Sequence, residues 1–285
     1  MEKQILWRGV LAGAIGGVLA FVFARIFAEP VIQQAIDYES GRDAAQEALD
    51  KAAGAAPAPE EMEVFSRALQ ANIGIGVAVI LFGAAMGALF AVAYALYLGR
   101  AGRLRPRSLA VLVAAGGFAA MYLVPFVKYP ANPPAIGHGD TIQQRSSFYL
   151  LMVACSVLFL ILSVWLGKRL QPRFGNWNAV LIAGAVFIVA TGIVVLILPQ
   201  FGELAANKQF HQTTETPAPL TDPSGQIVFP GFPADTLFSF RLYSIGAQLI
   251  LWTTIGLVFA PMADRLLGTP RAPRASASEP VPANS

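Results

Sequence analysis

The sequence predicts an all-α integral membrane protein of six transmembrane helices, on three observations. Of its 285 residues 55% are hydrophobic and only 13% charged, a balance outside the usual range of soluble globular domains. The apolar residues gather into six runs, each near the ~20 residues needed to cross ~30 Å of hydrocarbon at ~1.5 Å per residue. Between these runs arginine-rich loops alternate with loops that lack arginine clusters, which by the positive-inside rule orients the chain. The positive net charge therefore reads as topology and not as nucleic-acid binding.

The first run, 5–28, has Arg8 near its start and Arg25 near its end. A signal peptide is the rival reading, but the run is long and Arg25 and Glu29 stand where small cleavage-site residues would be expected. Gly13, Gly16 and Gly17 form a small-residue face of the kind that lets helices approach closely in lipid. The acidic segment 29–67 follows. Its part from Val31 to Ala53 has helical composition, and AAPAPEE (55–61) breaks it and starts a new helix.

The second run spans 71–98, with Gly74, Gly76, Gly83 and Gly87 on it, and leads into GRAGRLRPR. The third, 109–127, contains Pro125, which should kink its last turn and free a carbonyl. The fourth, 147–166, precedes a second basic loop, 167–177. The fifth covers 178–198. A polar Pro/Gly/Thr-rich loop with His211 separates it from the sixth, 240–261. Residues 1–267 thus read as one polytopic membrane domain, and 268–285 as a disordered cytoplasmic tail. Both termini and the arginine loops fall in the cytoplasm.

The odd runs share a pattern: VLAGAIGGVLA leading to Pro30, VLVAAGGFAA leading to Pro130 and VLIAGAVFIVA leading to Pro199. The even runs begin just after Arg67, Arg145 and Arg241. Three repeated helical hairpins fit both observations.

The chemistry concentrates in KYPANPPAIGHGDTIQQR, 128–145. Its prolines favour an extended path over the membrane surface. His138 and Asp140 form an H-x-D pair able to meet a divalent ion of the Co, Ni or Zn type, with Glu29 and Asp37 as further carboxylate ligands. Lys128, Arg145 and Arg241 lie near the same surface, against the charge bias, either as partners of Glu29, Asp37 and Asp140 or as an anion-binding ring. The single cysteine, Cys155, sits in an apolar run and excludes an intrachain disulfide. Phosphate-binding loops and hydrolase or zinc-finger motifs are absent from the sequence, so no enzyme activity is expected.

Three stretches carry a resemblance to a known family: MEKQILWRGVLAG with ARIFAEPVIQQAIDYESGR, LVPFVKYPANPPAIG with DTIQQR, and FPADTLFSFRLYSIGAQLILW. They resemble the CbtA family of cobalt transporter subunits, and KYPANPP is the most specific piece. The resemblance implies a bacterial inner-membrane protein for cobalt uptake linked to cobalamin synthesis. It also implies a partner, the small single-span histidine-rich CbtB subunit, with Co²⁺ as substrate and no permanently bound cofactor. The family's motif falls on Glu29, Pro30, Asp37, Lys128, Tyr129, Pro130, Asn132, Pro133, Pro134, Thr141, Arg145, Phe232, Pro233 and Arg241. The His138 position is not dependably histidine in the family, and His211 lies in a loop longer here than usual, which moves metal capture toward the partner.

The reading that follows is an outer vestibule shaped by Lys128, Tyr129, Asn132, Thr141, Arg145 and Arg241. Glu29, Asp37, Asp140 and His138 would draw the ion into it. The pore would lie within one chain or between copies of a homo-oligomer in the lipid bilayer. Two readings from other classes compete: a non-transporting membrane scaffold for a partner subunit, and a small-anion channel or carrier.

Overall fold

The computed structural model describes residues 2–55, 66–100, 102, 104–137, 139–204, 207 and 214–267. His138, His211, the AAPAPEE break from residue 56 onward and the C-terminal tail lie outside these residues. Helix α1 (Glu2–Phe23) continues through a π-helical turn, Ala24–Ala28, into α2 (Glu29–Ala52). Pro30 follows the π turn directly, whose wider winding makes room for a proline, with its missing N–H, inside a continuous helix. A short α3 (Arg67–Leu69), capped by the Ser66 hydroxyl, runs through a second π turn, Gln70–Gly74, into α4 (Ile75–Tyr97).

Helix α5 (Pro106–Phe118) passes through a third π turn, Ala119–Leu123, into α6 (Val124–Lys128). The kink expected at Pro125 takes this form: the backbone widens ahead of the proline, and the Ala120 carbonyl accepts the Ser156 hydroxyl. Helix α7 (Ile142–Ile197) and helix α8 (Ala234–Leu267) complete the helical body. A hairpin of β1 (Leu220–Thr221) and β2 (Ile227–Phe229) lies between them.

A straight helix of the length of α7 would measure about 84 Å, roughly twice the depth of a bilayer. It is not straight. Gly175 leaves helical geometry at φ 74°, ψ 170°, and a Cβ placed on Gly167 would lie 3.3 Å from the Cβ of Ala183. Residues so far apart along a helix touch only if the arms 142–174 and 176–197 turn back on one another. The basic loop expected at 167–177 is therefore corrected to helix with a one-residue break. Gly175 supplies the left-handed φ that an L side chain resists.

Among the described residues five helices are long and apolar enough to cross a membrane, with α7 counted as one of them. The core is formed by α1, which packs along α4 and α8, and by α5, which packs along α8. Tyr94, Phe90 and Phe259 fill its basic end with edge-on ring pairs at 4.8 and 5.0 Å. Glycine explains the approach of α1 and α4. A Cβ on Gly13 would lie 2.8 Å from the Cα of Gly87, and one on Gly83 would lie 2.8 Å from the Cα of Gly17. In lipid, where apolar burial drives little association, such backbone contact maximises dispersion between helices.

Candidate functional site

The loop end of the bundle, opposite the turns that carry Arg100, Arg105 and Arg107, gathers most of the polar residues singled out above. It is built from three pieces: α2, the non-helical segment 129–137, and the loop that carries the β-hairpin. An apolar nucleus joins them, with Ala35 and Tyr38 of α2 against Ile136 and Phe232. The Tyr38 ring lies 5.3 Å from Phe229 and 4.9 Å from Phe232, and its hydroxyl donates to the Pro230 carbonyl at 3.0 Å. Arg42 donates to the Ala218 carbonyl at 2.7 Å. The part of the polar loop from Ala218 to Phe232 is thus pinned to α2 by hairpin and aromatics.

The segment 129–137 is non-helical, but it is not extended throughout: Ile136 N–H donates to the Pro133 carbonyl at 3.4 Å and Ala135 has φ 69°, so Pro133 and Pro134 open a tight turn. Tyr129 is buried, stacked on Phe201 with centroids 4.2 Å apart, and donates its hydroxyl to the Pro199 carbonyl at 2.8 Å. Burial pushes the Tyr129 phenol up to about 12, so it stays a neutral donor at physiological pH. The Lys128 ammonium sits 5.7 Å from the centroid of the Tyr129 ring. Thr141 is fully buried in the short turn Gly139–Thr141 ahead of α7.

The centre of the cluster is a carboxylate that sequence reasoning missed. Glu215, 8% exposed, accepts from Asn132 Nδ2 at 3.1 Å and faces Arg145 Nε at 3.5 Å. The Asn132 side-chain oxygen in turn accepts from Arg241 Nη2 at 2.9 Å, while Arg241 Nε donates to the Ala131 carbonyl at 3.3 Å. Gly137 holds the floor. Its φ is 95°, its N–H donates to the Glu215 carbonyl at 3.3 Å, and a Cβ there would lie 2.8 Å from Arg145 Cζ. One guanidinium and one amide therefore meet the carboxylate, and a second guanidinium, that of Arg241, holds the far end of the same amide.

A second ion pair stands at the junction of α1 and α2. Glu29 is buried and accepts from Arg67. One turn earlier Arg25 Nε donates to Asn72 Oδ1 at 3.0 Å, so the π turns of neighbouring helices are tied side chain to side chain. The expected partners are corrected here. Lys128, Arg145 and Arg241 were expected to serve Glu29, Asp37 and Asp140. Instead, Arg67 serves Glu29, Arg145 serves Glu215, and Arg241 binds Asn132.

The expected metal ligands do not share one place. Glu29 and Asp37 lie two turns apart on α2, about 12 Å along its axis, too far to bind one ion together. Asp37 is exposed and accepts from Gln33 at 2.8 Å, and Asp140 is exposed on its turn. Among the described residues no three of His, Cys, Asp and Glu come together as a metal site. By contrast, Asn132, Arg145 and Arg241 do meet, through Glu215 and Ala131, whereas Tyr129 packs separately on Phe201 and Pro199. In sequence Glu215 is one acid in TTETP, and nothing local distinguishes it.

No curated protein and no solved structure matches this chain. The family model described as "Probable cobalt transporter subunit (CbtA)" matches residues 2–264. That range takes in every long apolar helix, nearly all of α8, and the whole polar cluster at the loop end. A multi-pass helical membrane body of this kind, matched almost from end to end, belongs to the CbtA family of cobalt transporter subunits.

Proposed function

We propose that this chain is the membrane-embedded subunit of a system that brings cobalt into the cell for cobalamin synthesis. The family match over residues 2–264, laid on a body of long apolar helices, carries this reading. The break at Gly175 divides α7 into two apolar arms, which gives six crossings. The arginine-rich turns share one end, and the positive-inside rule puts that end, with both termini, in the cytoplasm of a bacterial inner membrane. The loop end then faces outward.

Three hairpins of like orientation find support in two ion pairs and one hydrogen bond. The arginines that precede the even crossings, Arg67, Arg145 and Arg241, each bond a group that follows an odd one: Glu29, Glu215 and Asn132. In this reading Asp37 and Asp140, both exposed, draw Co²⁺ to the outer surface together with His138. Glu29 lies deeper, at the top of α1, and Arg67 yields it to the ion in passing. Lys128, Tyr129, Asn132, Thr141, Arg145 and Arg241 give the vestibule its shape. A small single-span partner with a histidine-rich end makes the first capture.

Accumulation of labelled cobalt tests the reading, in cells lacking their own uptake systems. The chain is expressed alone, with the partner, and as Asp37→Ala or Arg145→Ala at matched membrane levels. Uptake above empty cells that falls in the variants supports a cobalt path through the loop end, and dependence on the partner places first capture there. Uptake equal to empty cells in every combination overturns it, and leaves the scaffold and anion readings.

A further inference from the structure

The basic end of the molecule has a corner whose chemistry the transport reading does not use. Segments 98–107 and 165–178 contain Arg100, Arg103, Arg105, Arg107, Lys168, Arg169 and Arg173 and no Asp or Glu. The fold brings the two segments together. Lys168 Nζ donates to the Arg100 carbonyl at 2.7 Å and sits 5.6 Å from the centroid of the Tyr97 ring, so the turn of α7 is joined to the end of α4. Arg107 turns away, paired with Asp264 at 2.8 Å.

Aromatic side chains set the depth of these cations. Arg169 lies over the Trp165 ring at 5.5 Å and Arg173 over Phe174 at 5.3 Å. Trp165 is 56% exposed and Trp177 74%. Indoles on a membrane protein rest at the level of the lipid headgroups, and Gly175 turns the chain at that same level. Just beyond the cations, Leu162, Val180 and Leu181 offer exposed apolar walls on both arms of α7.

We infer that Arg100, Lys168, Arg169 and Arg173 form a binding site for anionic phospholipid, its phosphate on the cations and its acyl chains along the arms of α7. Charge complementarity selects an anionic headgroup. The apolar walls beside the cations select a lipid over a soluble phosphate or an acidic protein segment, neither of which has tails to place there. Such a lipid seals the corner where α7 meets α4. The inference rests on the membrane body and not on cobalt transport, so either can fail without the other.

The test uses the full chain, purified in detergent, with phosphatidylglycerol, phosphatidylcholine or inorganic phosphate added, and follows lipid binding by native mass spectrometry and thermal melting. Phosphatidylglycerol is expected to bind and to raise the melting temperature, and the effect should weaken as salt rises. Each of Arg169→Gln and Arg173→Gln should weaken phosphatidylglycerol binding about fivefold, with melting in phosphatidylcholine unchanged. If either variant does not fold, the salt dependence of the unaltered protein decides. Equal effects of the two lipids, an equal effect of phosphate, or salt-independent binding would overturn the inference.

Discussion

Along α1 and α4 glycines bring two backbones into contact, whereas on the second arm of α7 Gly184 and Gly192 have nothing within 4 Å. The same residue type, in equally apolar helices, serves opposite ends. In the first pair glycine is a packing residue, because the facing helix supplies backbone where a side chain would stand. In α7 it leaves open surface, and only Gly167, close to the turn, meets the other arm. Glycine frequency in a membrane helix therefore does not by itself reveal which helices touch.

The most direct way to break this contrast is substitution by leucine. Gly13→Leu or Gly87→Leu should cost at least ~3 kcal/mol, the upper end for overpacking, since the obstacle is backbone that cannot rotate aside. Size-exclusion profiles of detergent extracts should show little intact protein. Gly184→Leu and Gly192→Leu should give the profile of the unaltered chain. Equal damage from both pairs would mean that α7 is packed as tightly as the core.

At the loop end the comparison is between two buried carboxylates. Glu215→Ala should cost about 1–3 kcal/mol by leaving Arg145 and Asn132 without their shared acceptor. Glu29→Ala should cost a similar amount at Arg67. Glu215→Ala with Arg145→Ala should lose less than the sum of the single changes, whereas Glu215→Ala with Arg67→Ala should be additive. Thermal melts of the variants read both. Additivity in the first pair would show that the two residues do not act together.

Gly137→Ala should come next, at about 1–2 kcal/mol for the left-handed backbone, and more where the added methyl displaces Arg145. Limited proteolysis should then cut the loop around Glu215 faster, with the α1–α4 core unaffected.

Tyr129→Phe should have the smallest effect, about 1 kcal/mol for one hydrogen bond to Pro199. Its signature is in pH. Because burial raises this phenol to about 12, the unfolded chain ionises first as pH passes the ordinary tyrosine value near 10. Stability should therefore fall as pH rises from about 10 to 12. The phenylalanine variant should lose the part of that slope that belongs to Tyr129.

The apolar runs, the helix-free segment 129–137 and the glycine face of α1 were legible because each is a local property: hydropathy summed over a window, prolines that exclude helix, a missing side chain. Reading 167–177 as a loop failed because its basic residues marked a membrane boundary that the helix crosses without unwinding, except at Gly175. The docking of the polar loop on α2 was not legible, because Phe229 and Phe232 look like isolated aromatics until Tyr38 is placed beside them.

By itself the sequence determined that this protein lives in a membrane, where its apolar runs lie, and which family it belongs to. Tertiary structure alone decided which helices share backbone contact and which arginine meets which acid. Partition into lipid is the sum of contributions that each residue makes independently. A salt bridge reaches only a few ångströms, so Glu215 finds Arg145 and Asn132 only once the whole chain has brought distant segments to one end of the bundle.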